Sequence, residues 1–121
     1  MLPLPAYLTH RHGELHLEDV SLELLAREHG TPLFVYSHAA ILSSLAAYQR
    51  GLAGRQHLIC YAMKANSSLA VLQTFVQAGC GLDIVSGGEL ARALRAGVAP
   101  EKVIFSGVGK TRAEMRAALE A

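Results

Sequence analysis

The chain has 121 residues, of which 51% are hydrophobic and 17% are charged. This balance predicts a soluble globular core and excludes a disordered chain. Eleven Lys and Arg residues offset ten Asp and Glu residues, so the chain has no basic surface for nucleic acid and no acidic tail. Residues 65–82 carry no charge, but they contain too many polar side chains to cross a membrane. We therefore expect neither nucleic acid nor a membrane as a partner.

The start of the chain and its cysteines favour a cytoplasmic protein. The first residues include two prolines and lack the basic and apolar regions of an export signal. Cys60 and Cys80 lie in apolar stretches, not in a spaced framework, which favours reduced, packed thiols over a disulfide between them.

The first predicted elements are a hairpin and a short helix. Residues 6–10 and 14–17 alternate around Arg11, His12 and Gly13, which predicts two short strands. Ser21 is placed to cap a helix that ends at Gly30. The histidines of the hairpin have no neighbouring carboxylate or thiol ligands, so we expect a solvated face and no metal.

Apolar runs alternate with helical patterns through the rest of the chain. The predicted strands are Leu33 to Tyr36, Leu58 to Met63, Leu82 to Val85 and Val103 to Phe105. The predicted helices are His38 to Leu52, Leu69 to Ala78 and two that begin with the capping boxes Ser86 to Glu89 and Thr111 to Glu114. Strands that are apolar throughout predict a parallel sheet, either open or part of a barrel. A complete (β/α)8 barrel needs about 250 residues, so this chain would form about half of one.

Lys64 is the residue that we expect to carry chemistry. It follows the apolar run that ends at Met63, where loss of hydration would disfavour the ammonium form and free a neutral amine. A neutral amine attacks aldehydes, so Lys64 is a candidate Schiff-base lysine that holds pyridoxal phosphate. The alternative is a lysine whose stem packs on apolar surface while its head reaches water.

Two further strand ends carry polar residues, and parallel α/β folds gather their functional groups at such ends. Asp83 lies within an apolar strand, where an unpaired carboxylate is costly, so we expect it to be paired or hydrogen-bonded. Glu89 is explained by its capping role. Gly87 and Gly88 permit either an anion near a helix start or a tight turn.

The stretch Ser106 to Thr111 resembles the tail of a phosphate-binding P-loop. The leading glycine of that motif is replaced by Ile104. We therefore predict no nucleotide hydrolysis and favour a plain strand-to-helix turn, with a phosphate-compatible loop as the alternative.

Four motifs in this order closely resemble the start of diaminopimelate decarboxylases, which are alanine racemase-like, fold-type III enzymes. They are Gly30 to Tyr36, Tyr61 to Asn66, Gly81 to Leu90 and Val103 to Thr111. The likeness extends from about Gly13 to the end of the chain. Ordered motifs with the correct spacing are much more specific than one lysine.

The resemblance implies the N-terminal half of a pyridoxal phosphate-binding (β/α)8 TIM barrel, preceded by a short β-hairpin. Residues 21–121 would form the partial barrel, and residues 1–20 would belong to a C-terminal β-domain. Lys64 would hold the cofactor, with Ala62 and Asp83 also binding it, and Glu89 and Ser86 would be polar groups of the active site. The implied reaction converts meso-2,6-diaminopimelate into L-lysine and carbon dioxide, the last step of lysine biosynthesis, in a homodimer.

Other groups that such enzymes need would lie later in sequence, so we expect the isolated chain to have little or no decarboxylase activity. An ornithine or arginine decarboxylase or an amino-acid racemase would share the lysine. The Ser86 and Ser106 motifs favour diaminopimelate, and the lack of a tyrosine soon after Asn66 disfavours a racemase. Two alternative functions are of a different class. The chain could be a non-catalytic pyridoxal phosphate-binding module, or a fragment whose sheet edge pairs with another copy.

Overall fold

The chain divides into two compact units, each described here by itself. The computed structural model describes residues 6–121, in which one unit ends at Tyr48 and the other spans Gln49–Ala121. Within residues 6–121, no helix combines the length and the apolar character that a membrane span requires.

The first unit begins with the predicted hairpin, which is confirmed. Its strands β1 (Leu8–Arg11) and β2 (Glu14–Leu17) pair antiparallel, and β3 (Val20–Ser21) pairs with β2. The connecting residues His12 and Gly13 both have positive φ, 52° and 85°. A two-residue turn of this kind matches the twist of the two strands.

Two helices follow, as the sequence predicts, and the cap predicted at Ser21 is confirmed. Helix α1 (Leu22–His29) begins where Ser21 Oγ accepts a hydrogen bond from Leu24 N at 3.3 Å. Helix α2 (His38–Gly51) begins beside Glu18, whose carboxylate accepts from Ser37 Oγ at 2.6 Å and from Ala39 N at 2.9 Å. These two hydrogen bonds hold the pKa of Glu18 below its usual value, and the bond from Ser37 has the larger effect.

The predicted strand Leu33 to Tyr36 is wrong, because this segment forms no strand in the structure. Its large side chains are exposed, with Phe34 at 86% and Tyr36 at 57%. An apolar run becomes a strand only when a neighbouring strand satisfies its backbone groups. Within residues 6–121 this segment pairs with no other strand.

The second unit is an α/β structure built on a parallel sheet, which confirms the predicted parallel pairing. The sheet has the order β4 (Cys60–Ala62), β5 (Gly81–Ile84) and β6 (Val103–Phe105). The helices of the unit are α3 (Leu69–Gln77), α4 (Gly87–Arg95) and α5 (Arg112–Glu120). Strand and helix alternate along the chain, so the carboxyl ends of all three strands meet at one edge of the sheet.

The sheet has two faces of different character. Side chains alternate between the faces along a strand, and Leu82 and Ile84 are completely buried in the core. That core cluster also takes in residues of α3 and α4, so we call this side the helix-covered face. Asp83 lies between Leu82 and Ile84 in the strand, so its side chain is on the opposite face, in register with Ala62 and Ile104. We call this opposite side the Asp83 face.

Candidate active site

Lys64 lies at the carboxyl end of β4, within a short 3₁₀ turn at Met63–Ala65. Met63 is completely buried, whereas Lys64 is exposed. The expectation that Lys64 is withdrawn from water is therefore wrong. The physical reason is that the turn sends Met63 into the core and leaves the next side chain at the surface.

The three lysines of the chain differ in how their amines are held. Lys102 Nζ donates to Gly79 O at 3.3 Å. Lys110 Nζ donates to Gly107 O at 2.7 Å and lies 5.6 Å from the ring centroid of Phe105. Lys64 makes no hydrogen bond or ion pair with any residue in the part of the chain that the structure describes. Of the three lysine amines, that of Lys64 is therefore the one that no hydrogen bond within residues 6–121 holds back from reaction.

Asp83 stands in the middle strand, on the face that carries Ala62. The expectation that Asp83 is paired is wrong, since its Oδ1 is buried and has no hydrogen-bond partner among residues 6–121. A carboxylate oxygen that is removed from water without a partner costs free energy. Burial raises the pKa of the Cys60 thiol, and the Asp83 charge adds to that rise. The oxygen is thus a free acceptor at a buried position.

The loop after β5 is only partly the predicted capping box. Ser86 Oγ accepts from Glu89 N at 3.2 Å, as expected. The Glu89 carboxylate does not return to the amide of Ser86 and accepts from Val85 N at 2.6 Å instead. Glu89 therefore holds the backbone of the loop, one residue earlier than the sequence predicts.

Gly87 resolves the open choice between an anion site and a tight turn at this helix start. Its amide donates to Oε1 of Glu114 at 2.8 Å, so the anion at this position is a side chain of the protein. A Cβ at Gly87 would lie 3.1 Å from Glu114 Cγ, closer than most such contacts. Glycine is used here because it lets that side chain approach.

Glu114 also completes the second predicted capping box, which is confirmed in full. Its Oε2 accepts from Thr111 N and Thr111 Oγ1, each at 2.8 Å, while Thr111 Oγ1 accepts from Glu114 N at 3.2 Å. Hydrogen bonds from the Gly87 amide, the Thr111 amide and the Thr111 hydroxyl lower the pKa of Glu114 from its usual 4.5. The ionised carboxylate of Glu114 stabilises the fold fully above pH 4.5, the usual pKa of the group. This stabilisation is lost as the pH falls through the lowered pKa of Glu114.

The loop that follows Lys64 is fixed by a residue that the sequence interpretation missed. Arg92 Nε, on α4, donates to Ser67 O at 2.7 Å. Asn66 Oδ1 accepts from Ser68 N at 2.9 Å, and Tyr61 Oη donates to Asn66 O at 3.2 Å. Arg92 is exposed on α4. Its partner is 25 residues away, and no local pattern signals such a contact.

The loop after β6 is the plain strand-to-helix turn that the missing glycine at Ile104 predicts. Lys110 bonds within the loop, to the carbonyl of Gly107, and Thr111 caps α5. Both side chains therefore make contacts between the end of β6 and the start of α5.

The site offers the chemistry that an aldehyde cofactor requires. An exposed amine without a hydrogen-bond partner stands at the end of β4, and a buried, unpaired carboxylate oxygen stands on the adjoining strand. A primary amine can bind an aldehyde covalently, and a carboxylate oxygen without a partner can accept a hydrogen bond from a donor group. Lys64 and Asp83 therefore fit pyridoxal phosphate.

Comparison with known proteins defines the class. The family model described as "Pyridoxal-dependent decarboxylase, pyridoxal binding domain" matches residues 38–121. This match covers more than half of the chain, so the chain belongs to that family.

The relatives narrow the class further. The chain is 54% identical to diaminopimelate decarboxylase of Pseudomonas aeruginosa over 112 residues, which are 93% of this chain and 27% of that protein. It is 54% identical to the Vibrio cholerae enzyme of the same name, over 89% of this chain and 26% of that protein. The crystal structure of the M. jannaschii diaminopimelate decarboxylase in complex with L-lysine has a TM-score of 0.87 at 32% identity, covering 95% of this chain and 28% of that one. The chain thus spans about a quarter of the length of the relatives it matches.

Proposed function

We propose that the chain supplies the lysine-bearing part of an enzyme that converts meso-2,6-diaminopimelate into L-lysine and carbon dioxide. The observation that carries the proposal is the exposed, unpartnered amine of Lys64 at a strand end, beside the strand that bears Asp83. The names of the two bacterial relatives support this substrate. The M. jannaschii relative was crystallised with L-lysine, which is the product of the proposed reaction.

The residues of this chain have distinct roles in the proposal. Lys64 would hold pyridoxal phosphate through Nζ, and Ala62 and Asp83 would border it on the adjoining strands. Pyridoxal phosphate, when bound, supplies a ring that accepts the electron pair released as the bond to the carboxylate breaks. Ser86 and Glu89 hold the loop after β5 through the hydrogen bonds described above. When Lys64 Nζ is not bound to the cofactor, it can accept a proton.

The proposal also covers the architecture of the complete protein. Residues 21–121 would form the first half of a (β/α)8 barrel, and residues 1–20 would join a separate β-domain. The parallel sheet and the strand–helix alternation of the second unit support the barrel. The sequence resemblance supports a homodimer, and the absence of a spaced cysteine framework supports a cytoplasmic location.

Selective labelling of the three lysines tests the proposal. The chain is mixed with equimolar pyridoxal phosphate, reduced with borohydride and digested, and each lysine peptide is quantified. We expect about three- to tenfold more label on Lys64 than on Lys102 or Lys110, because ammonium groups that donate to backbone carbonyls resist conversion to the reactive amine. The amino-terminal amine is counted separately.

Matched arginine variants provide the controls. Lys64→Arg should remove most of the label, whereas Lys102→Arg and Lys110→Arg should leave the yield on Lys64 unchanged. Equal labelling of the three lysines would contradict the proposal. Labelling of Lys64 shows only cofactor attachment, so release of carbon dioxide from diaminopimelate by the complete protein separates an enzyme from a non-catalytic binding module.

A further inference from the structure

The loop after β5 is held by two carboxylates from different helices. The amide of Val85 donates to Glu89, which belongs to α4 and lies only four residues away. The amide of Gly87 donates to Glu114, which belongs to α5 and lies 27 residues away. The first contact is local, whereas the second joins the first turn of α4 to the first turn of α5.

Glu114 uses its two carboxylate oxygens for different purposes. Oε2 accepts both hydrogen bonds from Thr111 and so completes the helix cap. Capping α5 requires no more than this one oxygen. Oε1 is directed to the Gly87 amide at 2.8 Å, and this contact adds nothing to the cap of α5.

We propose that Glu114 is a positioning residue for the candidate active site. Its carboxylate fixes Gly87, the first residue of α4, against the start of α5, and it thereby sets the position of the preceding Ser86 and of the end of the strand that carries Asp83. The effect on the site rests on the proposed function. The anchoring of the loop concerns this chain alone.

The chemistry of the contact requires a glutamate. Glutamine can present its amide nitrogen, a donor, to one of the donors that Glu114 now accepts from. Aspartate is shorter by one methylene group, so it cannot cap α5 and also reach Gly87. On the other side, a side chain at Gly87 would meet Glu114 Cγ at 3.1 Å. Glu114 and Gly87 thus form a matched pair.

Three variants separate positioning from capping. Glu114→Gln weakens both the cap and the link to Gly87. Thr111→Ala removes the hydroxyl of the cap but leaves Oε1 and its hydrogen bond to the Gly87 amide. Glu120→Gln, an exposed change on the same helix, is the matched control. Each variant is compared with the parent chain for amide hydrogen exchange at Gly87, measured by NMR, and for the yield of pyridoxal phosphate label on Lys64.

We expect Glu114→Gln to raise the exchange rate of the Gly87 amide about three- to tenfold, as for loss of a hydrogen bond to a charged acceptor, and to reduce labelling of Lys64 about threefold by displacing the site. Thr111→Ala should increase exchange in the first turn of α5 and leave Gly87 and the label unchanged. Glu120→Gln should match the parent in both measurements.

Three results would overturn the inference: unchanged Gly87 exchange in Glu114→Gln, an equal change in Thr111→Ala, or faster exchange with normal labelling. If Glu114→Gln does not fold, Gly87→Ala takes its place, because its added methyl group presses on Glu114 while the Thr111 hydroxyl and the Glu114 carboxylate are both retained, and exchange is then followed at the amide of residue 87. The exchange measurement needs no cofactor. A parent chain whose Lys64 takes no label would therefore overturn the proposed function, while the exchange rates still decide whether Glu114 anchors the loop.

Discussion

The two faces of the parallel sheet obey different rules. On the helix-covered face, Leu82 and Ile84 are completely buried among apolar side chains of the helices. On the Asp83 face, the neighbouring positions hold a carboxylate with an unpaired buried oxygen and Ile104, which is 47% exposed. One strand therefore carries both completely buried core residues and a buried carboxylate oxygen without a partner among the described residues.

This difference indicates which face supplies stability and which supplies chemistry. Burial of apolar surface stabilises the fold, whereas an orphaned polar atom destabilises it. Such a polar atom is typical of a functional site, where the fold offsets a local cost elsewhere. Mutations on the helix-covered face should therefore destabilise the fold. Mutations on the Asp83 face should have little effect on stability but should reduce cofactor binding.

The largest expected effect is on the helix-covered face. Leu82→Ala should lower the free energy of unfolding by about 2–5 kcal/mol, since it leaves a cavity in a closed core. Ile104→Ala, on the Asp83 face, should lower it by less than about 1 kcal/mol because that side chain is already half exposed. Urea unfolding of the two variants measures both values. Equal losses would show that the two faces do not differ in packing.

A smaller effect of opposite sign is expected at Asp83. Asp83→Asn should raise the free energy of unfolding by about 1 kcal/mol, because a neutral amide costs less than a carboxylate at a buried position without a partner. The same change should reduce labelling of Lys64 by pyridoxal phosphate. A stabler chain that binds the cofactor less well would separate the two functions of the strand.

The control for net charge is Glu101→Gln, which also removes one negative charge but at an exposed position. This variant should change the free energy of unfolding by less than about 0.5 kcal/mol. A loss of stability in Asp83→Asn would mean that the carboxylate already has a stabilising role in the chain, contrary to the structure.

The sequence predicts local structure well because the signals are local. The hairpin around His12 and Gly13, the helix starts at Ser21 and Thr111, and the parallel sheet all follow from turn residues, capping residues and apolar runs. The strand predicted at Leu33 to Tyr36 fails because strand formation depends on a neighbour, which an apolar run alone does not reveal.

The candidate site was predicted in outline but not in its physical details. The motif around Lys64 identifies the strand end, yet the exposure of Lys64 depends on how the turn directs Met63 into the core. The unpaired oxygen of Asp83 and the contacts made by Arg92 and Glu114 join residues that are distant in sequence. Contacts of this kind follow from the packing of helices on the sheet, not from any local pattern.

The most direct test of the account is a map of backbone amide shifts as pyridoxal phosphate is added to the chain. We expect the largest shifts in residues 64–68, with smaller ones at residues 83–88. Residues 112–120, on α5, should change little. Largest shifts around Lys102, or shifts spread evenly over the chain, would contradict the claim that the strand ends beside Lys64 and Asp83 receive the cofactor.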